Sequence, residues 1–107
     1  MAFAGTPTRW DLASYTASTW TTIFTASGPS IVNTLSVAAG ANPVNVQFRV
    51  DNPSGTPVTY LIQSTSNLVN ANITGFWNGV PITLNSGDVL RFWGDATGAY
   101  ISANGAL

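Results

Sequence analysis

Residues 44–50 read VNVQFRV, and their apolar and polar side chains alternate without interruption. Successive side chains of a β-strand point to opposite faces of the sheet, so this period of two predicts a strand. The apolar residues would face a core, whereas the polar face, which includes Arg49, would meet water or a partner. The stretch therefore predicts a sheet that is packed on one side.

Similar short stretches rich in Val, Ile, Thr and aromatic residues lie on both sides of this one, with Gly, Pro, Asn or Asp between them. They predict strands at Trp20–Thr25, Ile31–Ala38, Val58–Gln63, Val80–Leu84, Val89–Gly94 and Ala99–Ala103. About seven to eight short strands at such intervals are typical of a sandwich. We expect an all-β protein with a single antiparallel β-sandwich of jelly-roll or Greek-key type, residues 18–107, preceded by an N-terminal arm, residues 1–17.

Local signals refine this arrangement. Asn78-Gly79 is a strong hairpin-turn dipeptide and predicts a turn there. Pro81 predicts that the stretch Val80–Leu84 is an edge strand, because the proline nitrogen cannot donate a hydrogen bond to a neighbouring strand. Residues 64–75 predict a structured crossover loop, and residues 104–107 a tail. Within Ile31–Ala38, simple alternation places Leu35 and Val37 on one face with Ile31, and Val32 on the other.

Charge is unusually scarce in this chain. Only 7% of the residues are charged, against about 25% in an ordinary soluble domain, and Lys, Glu, His and Cys are absent. Three scattered arginines and a net charge of -1 argue against binding to nucleic-acid phosphates. No stretch approaches the roughly 18 consecutive apolar residues of a membrane span. Because low net charge favours association, the chain is either kept in solution by Thr, Ser and Asn or has an assembly as its natural state.

The same composition predicts that the protein is not an enzyme. Acid–base and nucleophilic catalysis most often require His, Lys or Cys, none of which is present. The four carboxylates, Asp11, Asp51, Asp88 and Asp95, lie beside turn residues, where Asp commonly bonds to nearby backbone N–H groups. We therefore predict no catalytic residues, no cofactor and no metal site, although a Ca²⁺ site at Asp51-Asn52 or at Asp95 stays open.

Four tryptophans are many for a chain of 107 residues. Leu90 and Phe92 are expected to be buried, so that Arg91 and Trp93 face outward, where Tyr100 could join them from the neighbouring strand. Trp, Tyr and Arg are the residue types of binding hot spots. Aromatic rings also stack on sugars, and Trp93 with Tyr100 or Trp77 would be the stacking platforms. Three interpretations of this cluster stay open: a part of the core, a protein interface or a sugar-binding site. The candidate interface residues are Phe3, Trp10, Arg49, Arg91, Trp93 and Tyr100.

Two C-terminal stretches resemble the end of small virion proteins of tailed phages. One is the run Ile82–Leu90, whose Leu84-Asn85-Ser86-Gly87-Asp88 matches a strand entry through a Gly-Asp turn, and the other is Asp95–Gly105. The upstream order is also similar, with Trp20–Thr25, Ile31–Ala38, Val44–Val50 and Tyr60-Leu61-Ile62. The likeness covers about residues 18–106, omits the N-terminal arm, and departs from the family in having no Glu or Lys.

This resemblance implies a β-sandwich that serves as a virion accessory part without catalytic residues. We expect a capsid cement or decoration protein that contacts the major capsid protein and copies of itself, for example as a trimer. A protein of the tail or fibre is one alternative, and a carbohydrate-binding module or lectin-like domain that takes a glycan is another. The first residues lack the features of a signal peptide, which predicts synthesis in the host cytoplasm and location in the virion. A chain whose leader had been removed would look the same.

Overall fold

The structure, a computed structural model, describes residues 6–61 and 67–107. Nine strands lie within these ranges: β1 Pro7–Leu12, β2 Thr21–Thr25, β3 Ser30–Ala38, β4 Val44–Asp51, β5 Pro57–Tyr60, β6 Asn67–Val69, β7 Thr74–Leu84, β8 Val89–Gly94 and β9 Tyr100–Ala106. In the described ranges there is no helix that is long and apolar enough to cross a membrane. The nine strands confirm the prediction of an all-β protein.

The strands form two antiparallel sheets. One has the order β1-β9-β3-β7 and the other the order β2-β8-β4-β5, with β6 also paired to β4. The pairs β1–β9, β2–β8, β3–β7 and β4–β5 are nested inside one another along the chain. Nested pairs divided between two sheets define a jelly roll, so the predicted sandwich of jelly-roll type is confirmed.

The core lies between the two sheets and contains the alternating residues that the sequence indicated. The apolar residues of β4 are at most 2% exposed, and Leu90, Phe92 and Ile101 are fully buried. The ring of Phe48 lies 5.3 Å from that of Phe92 and 6.1 Å from that of Trp77, measured between centroids. Trp77 therefore packs against the core and is not a surface platform.

The predicted faces are wrong for the first part of β3, because the strand contains a bulge. The register of β3 against both of its neighbours shifts between Val32 and Thr34. Since an extra residue interrupts the alternation, Val32 joins Leu35 and Val37 in the core, while Asn33 is exposed. Simple alternation across the whole strand had placed Val32 on the opposite face.

Two further predictions, one of a turn and one of a tail, are also wrong. Residues Asn78-Gly79 lie inside β7, which continues from Thr74 to Leu84 and bulges opposite β3 at this point. The predicted tail is likewise strand, because β9 extends to Ala106. As predicted, β7 is an edge strand. In the predicted crossover loop, residues 67–69 form β6 and residues 70–73 a turn, and residues 62–66 lie outside the described ranges.

Much of the predicted arm is part of the sandwich. Residues Pro7–Leu12 form β1, which pairs with β9, and the ring of Trp10 stacks on Phe24 with centroids 4.0 Å apart. Further along, the Tyr15 hydroxyl donates a hydrogen bond to the carbonyl oxygen of Ala96 at 2.5 Å. Residues 1–5, including Phe3, lie outside the described ranges. Residues 7–10 make up most of β1, and Trp10 packs against the core, so a deletion of residues 1–10 would remove part of the sandwich as well as the predicted arm.

Candidate protein-interaction surface

A row of polar and aromatic side chains crosses the outer face of the second sheet. Thr22, Arg91, Arg49 and Tyr60 are successive partners in the register of β2, β8, β4 and β5. Each alternates with a residue that points toward the core, so all four project from the same outer face. Nη1 of Arg91 donates a hydrogen bond to Oγ1 of Thr22 at 3.1 Å, which fixes one end of the row.

A buried carboxylate lies beneath the two arginines. Asp51, whose side chain is 2% exposed, has its oxygens 2.9 Å from Nε of Arg49 and 2.7 Å from Nε of Arg91. Nη2 of Arg49 also donates a hydrogen bond to Oδ2 of Asp51 at 3.4 Å, whereas the two Nε contacts are ion pairs without hydrogen-bond geometry. Two guanidinium groups share one carboxylate, and a single positive charge is left in excess on this face.

The ring of Trp20 lies over Arg49, the second arginine of the row. The guanidinium carbon of Arg49 lies 4.1 Å from the ring centroid of Trp20, a cation–π contact. The ring of Tyr60 meets Trp20 edge-on at 6.3 Å, and this tyrosine is 41% exposed. We use the name arginine face for the surface formed by Trp20, Thr22, Arg49, Tyr60, Arg91 and Trp93.

The structure brings together only part of the candidate interface. Arg49, Arg91 and Trp93 lie on the arginine face, as their outward alternation predicted. Tyr100 does not join them, because β9 belongs to the other sheet; the expected neighbourhood of Trp93 and Tyr100 is wrong. Trp10 packs on Phe24. A role in an interface remains a prediction for each of these residues.

Sequence reasoning missed Trp20 and Tyr60 as members of this surface. Trp20 immediately precedes β2, and Tyr60 pairs with Arg49 only through the register of β4 and β5. The outward position of Arg49 was the one available signal, because a half-buried arginine often has an aromatic or acidic neighbour. The identity of these aromatic neighbours depends on how β2, β8, β4 and β5 pair, which the sequence does not specify.

Tyr100 belongs to a separate polar cluster on the outer face of the first sheet. Asp11 accepts a hydrogen bond from the hydroxyl of Ser102 at 2.6 Å and pairs with the exposed Arg9 at 3.2 Å. The bond from Ser102, helped by Tyr100 and Arg9, lowers the pKa of Asp11. The hydrogen bond to Asp11 in turn raises the pKa of Tyr100. At neutral pH this cluster therefore has a neutral tyrosine beside an ionised carboxylate.

The remaining carboxylates have structural partners. Asp88 accepts a hydrogen bond from the backbone N–H of Asn85 at 2.8 Å, within a turn. Asp95 accepts bonds from the side-chain amide and backbone N–H of Asn45, at 2.7 and 2.8 Å, and these lower its pKa. Two guanidinium groups already neutralise Asp51 and would repel a Ca²⁺ ion there. No group of three or more His, Cys, Asp or Glu residues that could hold a metal ion occurs among the residues that the structure describes.

Comparisons with known proteins leave the arginine face as the main guide to function. No family model matches this chain, and no curated protein or solved structure matches it. Jelly rolls occur both in viral capsid proteins and in lectins, so the fold alone does not decide between these classes. The functional argument therefore depends on the residues of the site and on the composition.

Proposed function

We propose that this protein is a non-enzymatic structural protein of a phage virion, a capsid decoration protein that binds the major capsid protein through its arginine face. The observation that supports this most is the clustering of Trp20, Tyr60 and Trp93 with Arg49 and Arg91 on one sheet. Tryptophan, tyrosine and arginine are the residue types that dominate the energetics of protein interfaces.

The electrostatics of the arginine face indicate the chemistry of its partner. Asp51 is buried, so the groups that a partner meets are the guanidinium groups of Arg49 and Arg91. They carry one positive charge in excess, in a chain whose net charge is -1. A protein surface that presents a carboxylate beside an apolar group would pair with the arginines and pack on Trp20.

The shape of the surface supports a protein partner more than a small ligand. The described residues form no pocket, and small-molecule sites are usually concave. An outer sheet face with aromatic anchors and no pocket suits a broad contact with another folded protein. The sugar site that the sequence left open combined Trp93 with Tyr100 or with Trp77, and both of these belong to the other sheet.

Composition and resemblance support placing this contact in a virion. The chain has no His, Lys, Glu or Cys, and its four aspartates have structural partners. Scarce charge suits a surface that neighbours cover. The stretches Ile82–Leu90 and Asp95–Gly105 resemble small virion proteins of tailed phages. The fold adds a coarser analogy, since jelly rolls occur in viral capsids.

Substitutions on the arginine face should weaken attachment to the particle. We expect Trp20→Ala and Arg49→Gln each to raise the apparent dissociation constant on capsids that lack the protein by about 30-fold, the effect of losing about 2 kcal/mol at a hot spot. Co-sedimentation of the purified variants with such capsids measures this. Arg9→Gln is the matched control, because Arg9 lies on the other sheet and its side chain is 66% exposed.

The same experiment can contradict the proposal. Unchanged binding of both variants, or equal losses in the Arg9→Gln control, would exclude the arginine face as the attachment surface. Retention on immobilised glycans that is lost in Trp20→Ala, with no binding to capsids, would favour the lectin-like alternative over a virion role.

A further inference from the structure

The buried carboxylate of Asp51 belongs to the arginine face but does not itself meet a partner. It follows Arg49 by two residues in β4, and its side chain is 2% exposed. A charge that touches no ligand still affects what binds above it, through the positions and the net charge of the groups that it contacts.

Asp51 occupies one edge of each guanidinium group. Nε and Nη2 of Arg49 lie 2.9 and 3.4 Å from its oxygens, and Nε of Arg91 lies 2.7 Å from Oδ2. Nη1 of Arg91 donates to Thr22, and the ring of Trp20 lies against Arg49. Of the four Nη atoms, Nη1 of Arg49 and Nη2 of Arg91 have no hydrogen bond to a described residue, and both are open to solvent.

Asp51 also halves the charge of the arginine pair, from two to one. The other two aspartates near this sheet, Asp88 and Asp95, precede and follow β8, and each accepts hydrogen bonds from an asparagine. They lie at least three residues from Arg91, about 10 Å along the strand, where physiological salt screens most of their effect. A ligand at the two arginines therefore meets one excess positive charge above a buried negative one.

We propose that Asp51 sets the ligand of the arginine face, so that Arg49 and Arg91 take one carboxylate of a partner protein and exclude polyanions. A single carboxylate at the two open Nη atoms would neutralise the remaining charge through charge-assisted hydrogen bonds. A sulfated or phosphorylated chain would bring further negative charges close to the buried carboxylate, which repels them.

The carboxylate partner rests on the proposed function, whereas the exclusion of polyanions does not. Capsid binding tests the first of these properties and heparin binding the second. Failure of the unmodified protein to bind capsids would overturn the proposed function, and the heparin comparison would still decide whether Asp51 controls the charge of the face.

Asp51→Asn separates the position of the arginines from their charge. A gain of positive charge alone would strengthen attachment to a carboxylate, whereas loss of the group that holds both guanidinium groups would weaken it. We expect the apparent dissociation constant on capsids that lack the protein to rise about tenfold, in spite of the added charge. Co-sedimentation measures this, and a purely structural spacer would not oppose the electrostatic effect.

Heparin, a sulfated polyanion, is the probe for the second property. On a heparin column loaded at about 0.01 M salt, we expect the unmodified protein to pass through and Asp51→Asn to be retained until the salt is raised. Asp11→Asn is the matched control, because it changes the net charge of the chain by the same amount beside Arg9 on the other sheet. It should elute with the unmodified protein.

A chemical change of the capsid tests the partner without any variant of this chain. Carbodiimide coupling of a neutral amine converts the accessible carboxylates of capsids to amides, and electron microscopy shows whether the particles stay intact. We expect the unmodified protein to bind these capsids at least about tenfold more weakly than untreated ones.

Circular dichroism at the assay temperature shows whether Asp51→Asn is folded; if it is not, the amidated capsids and the heparin behaviour of the unmodified protein decide. A folded Asp51→Asn that binds capsids as tightly as the unmodified protein, or more tightly, would overturn the proposal. So would full binding to amidated capsids, retention of the unmodified protein on heparin, or equal retention of Asp11→Asn and Asp51→Asn.

Discussion

Gly105→Ala should destabilise the protein by about 4 kcal/mol or more, enough to prevent folding of many domains of this size. Gly105 lies in β9, between its partners Thr8 of β1 and Val32 of β3. A Cβ atom at this position would overlap the backbone carbonyl oxygen of Ile31 and come within 3.0 Å of Cα of Val32. Since the obstacle is backbone, the methyl group could be accommodated only by moving β3 away from β9.

Gly28→Ala is the control for this substitution. Nothing lies within 4 Å of a Cβ atom built at Gly28, which precedes β3. We expect its free energy of unfolding to change by less than about 0.5 kcal/mol. Urea denaturation followed by tryptophan fluorescence compares the two variants. A loss in Gly105→Ala as small as that in Gly28→Ala would mean that β3 and β9 are not paired in this register.

Asp51→Asn should cost about 3 kcal/mol of stability. The substitution preserves the shape of the side chain but removes the one carboxylate between Arg49 and Arg91, which are direct partners across β4 and β8. Removal of one member of a buried ion pair typically costs about 3–5 kcal/mol, and the lower end applies because the guanidinium groups are partly solvated. The two arginines would then repel each other without compensation.

Asp11→Asn provides the matched comparison. Asp11 is also paired with an arginine on a sheet face, but that partner, Arg9, is mostly exposed, and such pairs contribute little to stability. Its free energy of unfolding at neutral pH should stay close to that of the unmodified protein. Similar losses in both variants would show that burial between two arginines does not distinguish Asp51.

The local pattern of the sequence was sufficient for the strands whose alternation is regular. β4 follows the period of two from Val44 to Val50 and β8 follows it throughout, and both have the buried and outward residues that were predicted. β3 does not, because a bulge between Val32 and Thr34 reverses the faces of its first part. A bulge depends on the neighbouring strands as much as on its own residues.

The two other errors, the turn at Asn78-Gly79 and the tail at residues 104–107, each concern a glycine that follows asparagine. Asn78-Gly79 and Asn104-Gly105 are both typical turn dipeptides, yet both lie within strands. At Gly105 the residue is needed because β3 approaches too closely for any side chain. The sequence alone does not show whether a glycine is needed for a turn or for the close approach of a neighbouring strand.

The members of the candidate site were harder to predict than the strands. In a jelly roll the paired strands are distant in sequence, as with β1 and β9, and strands that follow each other often lie in different sheets. Trp93 and Tyr100 are separated in this way, whereas Trp20 and Arg49 are brought together. Outward direction could be predicted from alternation, but the choice of neighbours required the register.

Quantitative mass spectrometry of purified virions, from a host that carries the gene, measures whether this protein is a structural component of a capsid. We expect hundreds of copies per particle, in proportion to the major capsid protein. A handful of copies would place the protein on the tail instead, and its absence from the particles would exclude a role in the virion.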